Sequence, residues 1–370
     1  FAFFCSAVLE AIPYLDFTPD ILHCNDWQTG MIPVLLEAQY RNRDKYENIA
    51  TMFTIHNLRY QGEFSIPVFQ DLFGLGDEYF TSDKLEYYGN ASFLKGGLTY
   101  SHILTTVSNS YAEEIQNPFY GERMDGLLRA RSHSLHGIVN GIDYDEFNPQ
   151  TDPFIFLNYN QDTLEGKIKN KLALQEELNM PVNGDIPAIG LISRLVDQKG
   201  LDLIARVLDD IMGEDLQLYI LGTGDYIYES MFHDAACRYP SKVSANIRFD
   251  NGLAHKIYAA SDLFLMPSLF EPCGLGQLIS LRYGTLPIVR ETGGLRDTVL
   301  SYNENTVEGN GFSFKNYNAH DMLFTIKRAL QVYKYKDIWS KLQETAITGD
   351  YSWQYSAGKY IDLYSTLKGR

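Results

Sequence analysis

Cysteine is scarce. Only Cys5, Cys24, Cys237 and Cys273 occur in 370 residues, and none of them form a CxxC pair or a zinc-type spacing. That scarcity speaks against a disulfide framework and a metal centre, and it leads us to expect a reduced, cytosolic setting. No apolar run approaches the roughly 20 residues of a membrane span. The apolar opening, Phe1 to Leu9, lacks a basic leader and meets Glu10, so no signal peptide is expected either. Cations are outnumbered, 31 Lys and Arg against 47 Asp and Glu, for a net charge of −16. Such a balance argues against nucleic acid or an anionic membrane surface as partner, and any cationic contacts to an anionic ligand must be local. Repeats and low-complexity tracts are also missing. The chain has no initial Met and opens in what reads as mid-helix, which suggests a truncated start.

What is abundant is aromatic: 26 Tyr and 21 Phe. Most belong to a core, and a surplus of Tyr also suits sugar stacking. The length predicts two domains. Strand-like and helix-like segments alternate. Strands are expected at 20–24, 51–55, 102–107 and 137–139, with helices from Asp26 to Leu36 and from Tyr111. A polar stretch with two prolines, 143–160, reads as a linker. A helix at 164–178 follows, then strands at 188–193, 217–221, 262–267 and 286–289, and a helix from Gly200 to Met212. The last helix carries Trp353, Ala357, Tyr360, Tyr364 and Leu367 on one face. The fold class is therefore α/β, two doubly wound Rossmann-like domains facing a cleft, with ligands at the carboxyl ends of strands.

The densest motif is Phe270-Glu271-Pro272-Cys273-Gly274-Leu275-Gly276-Gln277, followed by Glu291-Thr292-Gly293-Gly294-Leu295-Arg296-Asp297. Each is a strand–glycine–helix turn. Together they predict backbone N–H groups and helix dipoles aimed at an anion such as a phosphate. Glu271 at the lip of the first turn suits a sugar, because a carboxylate accepts two hydroxyl protons at once. Arg194 and Lys199 flank a helix start, where two cations oppose the dipole unless an anion sits between them. The alternative is a pair of solvated charges. Gly222-Thr223-Gly224 follows a strand but has Ile227 where a dinucleotide fingerprint needs glycine, so a nucleotide turn and a purely structural turn stay open. His56 at a strand end is either functional or a satisfied core histidine. Asp26 is either functional or a helix cap. Asn140-Gly141 ends a strand near the expected domain boundary and is either functional or a plain turn.

These residues together resemble the bacterial glycogen synthases and plant starch synthases. The likeness runs essentially end to end: Asp26-Trp27, Thr54-Ile55-His56-Asn57 with Tyr60-Gln61-Gly62, Phe93-Leu94-Lys95-Gly96-Gly97-Leu98, Val107-Ser108 with Tyr111, Asn140-Gly141-Ile142-Asp143, Ser193-Arg194-Leu195 with Gln198-Lys199-Gly200, and both glycine turns. The resemblance implies a GT-B glycosyltransferase: an acceptor-side domain over 1–142, a donor domain over 143–350, and a last helix, 351–370, crossing back. It implies ADP-glucose as donor, an α-1,4-glucan as acceptor, retention of configuration, and no metal or other cofactor. Localisation would be cytoplasmic in a bacterium and plastidial in a plant. Arg194 and Lys199 would hold the diphosphate. Glu271, with the N–H groups of Cys273 and Gly274, would bind the glucosyl hydroxyls. His56 and Asn140 would position the glucosyl group, and Asp26 would lie on the acceptor side. Gly222 and Gly224 would line the nucleotide pocket, with Phe249 under the adenine. Leu275, Gly276, Gly293 and Gly294 would complete the phosphate turns.

Three departures accompany the likeness. The family's N-terminal Lys-x-Gly-Gly-Leu loop is absent, and Lys95-Gly96-Gly97-Leu98 matches an interior segment instead. Ile279 stands where the wider glycosyltransferase pattern has a second glutamate. Gly276 replaces a common hydroxyl residue.

Overall fold

The expected alternation becomes two separate parallel sheets in the computed structural model, which describes residues 1–369. One unit comprises Phe1–Val139 and the stretch from Ser356 onward, and the other Asn140–Tyr355.

The first unit contains β1 (Ile21–Asn25), β2 (Ala50–Ile55), β3 (Glu63–Phe64), β4 (Glu86–Tyr87), β5 (Asn90–Ser92), β6 (Ile103–Thr106) and β7 (Leu135–Gly137). Its main sheet runs β1-β2-β6-β7, all parallel. The central strands β2 and β6 are almost wholly buried, which is why they read as unbroken β-branched and apolar runs rather than alternating ones. A small antiparallel sheet, β3-β5-β4, was not foreseen from the sequence.

The second unit contains β8 (Ala188–Ile192), β9 (Gln217–Leu221), β10 (Val243–Asn246), β11 (Leu263–Met266), β12 (Leu286–Arg290) and β13 (Phe312–Phe314). The order is β10-β9-β8-β11-β12-β13, all parallel, so the winding reverses between β8 and β11. Such a reversal opens a crevice at the carboxyl ends of the two central strands. Consistent with that, β8 pairs β11 only at Ile189 and Gly190, while β8 pairs β9 along all five residues. The helix Leu201–Met212 buries Leu201, Ile204, Leu208 and Ile211 in the core, the 3.6-residue stripe its sequence shows.

Several expectations need correction. The single helix from Asp26 to Leu36 is a 3-10 turn (Trp27–Thr29), a short α-helix (Met31–Leu35) and a π-turn (Leu36–Tyr40). Pro33 lies inside this stretch and cannot donate to its ladder. Strand β7 ends at Gly137, two residues earlier than 139, where its pairing with Thr106 stops. The segment 143–160 is no free tether. Buried Asp152 lies 2.7 Å from His255 Nδ1 and accepts from the Tyr283 hydroxyl, and the Tyr159 hydroxyl donates to the Tyr283 carbonyl at 2.7 Å. On the last helix, Trp353–Lys368, the buried face begins at Ser356, whose Oγ donates to the Val139 carbonyl at 2.6 Å. It continues through Tyr360, Leu363, Tyr364 and Leu367 against Ile21, Met52 and Ile103, leaving Trp353 and Ala357 exposed. Helices Tyr226–Arg238, Asn251–Ala260, Ala319–Tyr333 and Lys336–Thr348, together with β10 and β13, were not assigned from the sequence.

Candidate functional site

At the winding reversal of the second unit, the loops after β8 and β11 carry the expected polar residues. The β8 loop ends in a 3-10 turn, Asp197–Lys199, and Gly200 at φ +70° opens the next helix. A methyl group on Gly200 would lie 2.0 Å from the Pro267 carbonyl oxygen, so only glycine lets the two loops meet. The loops are stitched by Leu269 N–H to the Gln198 carbonyl (2.9 Å) and Gln198 Nε2 to the Phe270 carbonyl (3.2 Å). This places Lys199 Nζ 2.6 Å from Glu271 Oε2, an ion pair whose side chains are 16% and 10% exposed. Ser268 Oγ donates to the same Oε2 at 3.0 Å. Glu271 Oε1 has no partner among the described residues and is free to accept a ligand hydroxyl. Arg194 is exposed, and no carboxylate among the described residues pairs with it.

The two glycine turns interlock. The Gly294 N–H donates to the Glu271 and Pro272 carbonyls, both at 3.1 Å. Methyl groups on Gly293 and Gly294 would lie 2.1 Å and 1.9 Å from the carbonyl oxygens of Glu271 and Cys273. The second turn therefore braces the first, and the Gly294 N–H is turned inward. By contrast, the N–H groups of Cys273, Gly274, Leu275 and Gly276 meet no protein acceptor among the described residues. Cys273 is buried, and burial pushes its thiol up to about 12, so it stays protonated. Its thiol meets the backbone of Asn140, whose side-chain Oδ1 is buried without a partner. A buried orphan acceptor is suited to a hydroxyl donor.

Gly222 and Gly224 press on the β8 loop. Methyl groups there would lie 1.9 Å from the Ser193 carbonyl oxygen and 2.2 Å from that of Leu195. The Gly224 N–H donates to Glu229 at 2.8 Å. Phe249, between β10 and the following helix, is 90% exposed, an aromatic face available for stacking.

In the first unit, Asp26 follows β1 and His56 follows β2. Asp26 adopts φ +56°, a left-handed value uncommon for a side-chain-bearing residue. Its carboxylate does not cap the following turn; Oδ1 accepts the His56 N–H at 2.8 Å. His56 Nε2 lies 3.0 Å from Asn25 Oδ1. The two strand ends thus fix each other. Lys95 points away from them: its ammonium donates to the Ser82 and Glu86 carbonyls at 2.6 Å and 2.5 Å, a structural role.

Two residues of the donor-side site were missed from sequence. Ser268 holds Glu271, and buried Arg290 donates to the carbonyls of Ser268 and Leu269, fixing the loop that carries Glu271. A lone arginine ending the apolar run Leu286–Val289 was the available signal. Among the described residues, no group of three or more His, Cys, Asp or Glu could hold a metal ion, and no helix is long and apolar enough to cross a membrane.

Residues 1–130 match the starch synthase catalytic domain family, and residues 175–344 match glycosyl transferases group 1. A glycogen synthase of Desulforamulus reducens is 57% identical over 367 residues, spanning 99% of this chain and 76% of its own length. One from Clostridium novyi is 57% identical over 368 residues, covering 99% and 77%. Among solved structures, the catalytic domain of starch synthase IV from Arabidopsis thaliana, bound to ADP and acarbose, superimposes with a TM-score of 0.92 at 35% identity. That match covers 100% of this chain and 77% of the other.

Proposed function

The chain belongs to the glycogen synthase family, and from that premise we propose that it transfers glucose from ADP-glucose to the non-reducing end of an α-1,4-glucan, with retention of configuration. The observation that carries this reading is the Lys199–Glu271 contact at the winding reversal, with unpaired Arg194 on the same loop. One loop thus presents cations, and the facing loop presents a carboxylate beside free N–H groups. That is the polarity a nucleotide-diphosphate sugar requires.

Breaking the anomeric bond leaves charge on the diphosphate and an electron-poor sugar. Arg194 and Lys199 would stabilise the departing ADP, together with the N–H groups of Leu275 and Gly276. Fixed donors of this kind typically contribute about two to three orders of magnitude in turnover each. Oε1 of Glu271 and the orphan Oδ1 of Asn140 would accept hydroxyl protons of the glucosyl group, with the N–H groups of Cys273 and Gly274 donating to its oxygens. His56 would position the glucosyl group from the acceptor side, and Asp26, which holds the His56 backbone, would lie near the acceptor. Gly222, Gly224 and Phe249 would serve the nucleotide. Gly293 and Gly294 would act by bracing. Protein cations supply the leaving-group charge, so the reaction as proposed takes no metal.

The test is incorporation of labelled glucose from ADP-glucose into glycogen, followed by digestion with an α-1,4-specific amylase. Amylase-sensitive label is expected. No incorporation, or a clear preference for UDP-glucose in competition, would overturn the assignment.

A further inference from the structure

The turn that carries Lys199 is held at both ends by tyrosine hydroxyls from other elements of the second unit. At its start, Asp197 Oδ1 accepts from the Tyr228 hydroxyl at 2.5 Å, and Tyr228 is buried on the helix Tyr226–Arg238. Past its end, Asp202 Oδ1 accepts from the Tyr317 hydroxyl at 2.5 Å. Asp202 lies in the first turn of the helix Leu201–Met212, which Gly200 joins directly to Lys199. Tyr317 stands between β13 and the helix Ala319–Tyr333. Burial, and the hydrogen bond to Asp202, raise the pKa of its hydroxyl, which therefore stays protonated and donates.

Tyr317 also meets the support of the other loop. The Arg290 guanidinium lies 5.7 Å from the centroid of its ring, within cation–π range. Strands β12 and β13 bring the two together, since Arg290 stands opposite Phe314 in the pairing. Arg290 donates to the Ser268 carbonyl at 2.8 Å and to the Leu269 carbonyl, and Ser268 Oγ donates to Glu271. The contacts close a ring that runs from Lys199 through Asp202, Tyr317, Arg290 and Ser268 to Glu271, which meets Lys199 again at 2.6 Å. The backbone contacts of Gln198 fix the two loops to each other at one place, before Lys199 in the chain. Tyr317 adds a second, after Lys199. Two such points set an orientation, where one sets only a separation.

We infer that Tyr317 is a positioning residue for glucosyl transfer, setting Lys199 relative to Glu271 through Asp202 and Arg290. The inference rests on the proposed function. In that reading ADP-glucose spans both groups, with its diphosphate on Lys199 and its sugar on Glu271, whereas ADP engages Lys199 alone. A long lysine side chain reaches a diphosphate from a slightly shifted turn. A donor that must meet both groups at once tolerates less, and a misplacement of about 1 Å at such a pair costs up to about a hundredfold in rate.

The test is Tyr317→Phe, which removes the hydroxyl and keeps the ring on Arg290. It is run beside Asp202→Ala and Asp202→Asn, of which only the second keeps an acceptor for the hydroxyl. In Tyr317→Phe and Asp202→Ala, kcat should fall about tenfold, and calorimetry should show ADP-glucose affinity falling severalfold while ADP affinity stays within about twofold. Asp202→Asn should keep the parent values. In a Glu271→Gln background the further cost of Tyr317→Phe should shrink to about twofold or less, because residues that act through one another are not additive. Unchanged kcat and ADP-glucose affinity in Tyr317→Phe would overturn the inference. So would ADP affinity lost in step with kcat, the mark of a merely structural role, or an equal loss with and without Glu271→Gln. If the parent binds ADP-glucose but transfers no glucose, the proposed function fails while the two affinities still decide the role of Tyr317; a parent that binds neither ligand would overturn both.

Discussion

Replacing Glu271 by glutamine should separate donor recognition from transfer in opposite directions. Lys199 Nζ lies 2.6 Å from Glu271 Oε2 in a contact that is mostly buried, so it is not a screened surface pair. A donor diphosphate held by Lys199 has two routes: it displaces Glu271 from the ammonium, or it shares the ammonium and brings two negative oxygens within about 5 Å of each other. At that separation and an effective dielectric near 20, the repulsion is about 3 kcal/mol, which solvent and side-chain relaxation reduce to roughly 1–2 kcal/mol. Either route is relieved when the carboxylate loses its charge. Binding of ADP, which lacks the sugar, should therefore tighten by about tenfold in Glu271→Gln. Transfer should nonetheless fall by about two to three orders of magnitude, because Gln offers one oxygen acceptor where the carboxylate offered two. Calorimetric titration with ADP and initial rates at saturating ADP-glucose read the two effects. Weakening of ADP binding in proportion to the loss of turnover would refute both the sugar role of Glu271 and the electrostatic reasoning.

Other consequences are simpler to read. Gly200→Ala forces a methyl group against the Pro267 carbonyl at φ +70°, and urea titration should show a loss of about 3 kcal/mol or more. His23 lies 2.6 Å from both the Tyr364 hydroxyl and Thr54 Oγ1, tying the last helix to the sheet of its unit. Burial, reinforced by nearby His56, lowers its pKa from 6.5 to about 4. The unfolded chain then binds the extra proton first as pH falls, so this contribution is complete above pH 6.5 and is lost as pH drops toward 4. The loss approaches about 3 kcal/mol, and His23→Gln should flatten the slope of stability against pH over that window. Chelation with EDTA should leave the rate of glucosyl transfer unchanged; a loss restored by a divalent cation would assign leaving-group stabilisation to a metal rather than to Arg194 and Lys199.

The sequence was most legible where one physical signal dominated. Buried parallel strands such as Gln217–Leu221 and Leu286–Arg290 are apolar runs bounded by turn residues, and they lie within a residue or so of the expected places. The helix Tyr226–Arg238 escaped notice because its outer face keeps Tyr226 and Ile227 exposed, which blurs the apolar stripe that marks an amphipathic helix. The polar segment at 143–160 looked like a tether because its composition is that of a loop. What fixes it is a set of long-range partners, Asp152 with His255 and Tyr283, separated by more than 100 residues. No local pattern encodes such a pairing.

The glycines carry a different lesson. From sequence, Gly293 and Gly294 suggested a phosphate-cradling turn, and Gly222 and Gly224 either a nucleotide turn or a purely structural one. In the structure, all four stand where an added methyl group would strike a carbonyl of a neighbouring loop, at distances near 2 Å. Gly200 behaves in the same way against Pro267. Their shared requirement is contact between the loops that leave the carboxyl ends of different strands. That contact brings Lys199 from one loop onto Glu271 of another and leaves Arg194 without a carboxylate partner, and the N–H groups of Gly274 and Gly276 without an acceptor, among the described residues. A glycine pattern of this kind is therefore an indirect mark of a binding site. It records how closely the loops must pack for charged side chains and free N–H groups to converge. Methyl substitution at Gly294 should accordingly impair folding of the donor-side unit before it affects ADP affinity, whereas substitution at Gly276, whose N–H is free and whose added methyl would sit 3.0 Å from the Phe264 ring, should weaken ADP binding in a folded protein.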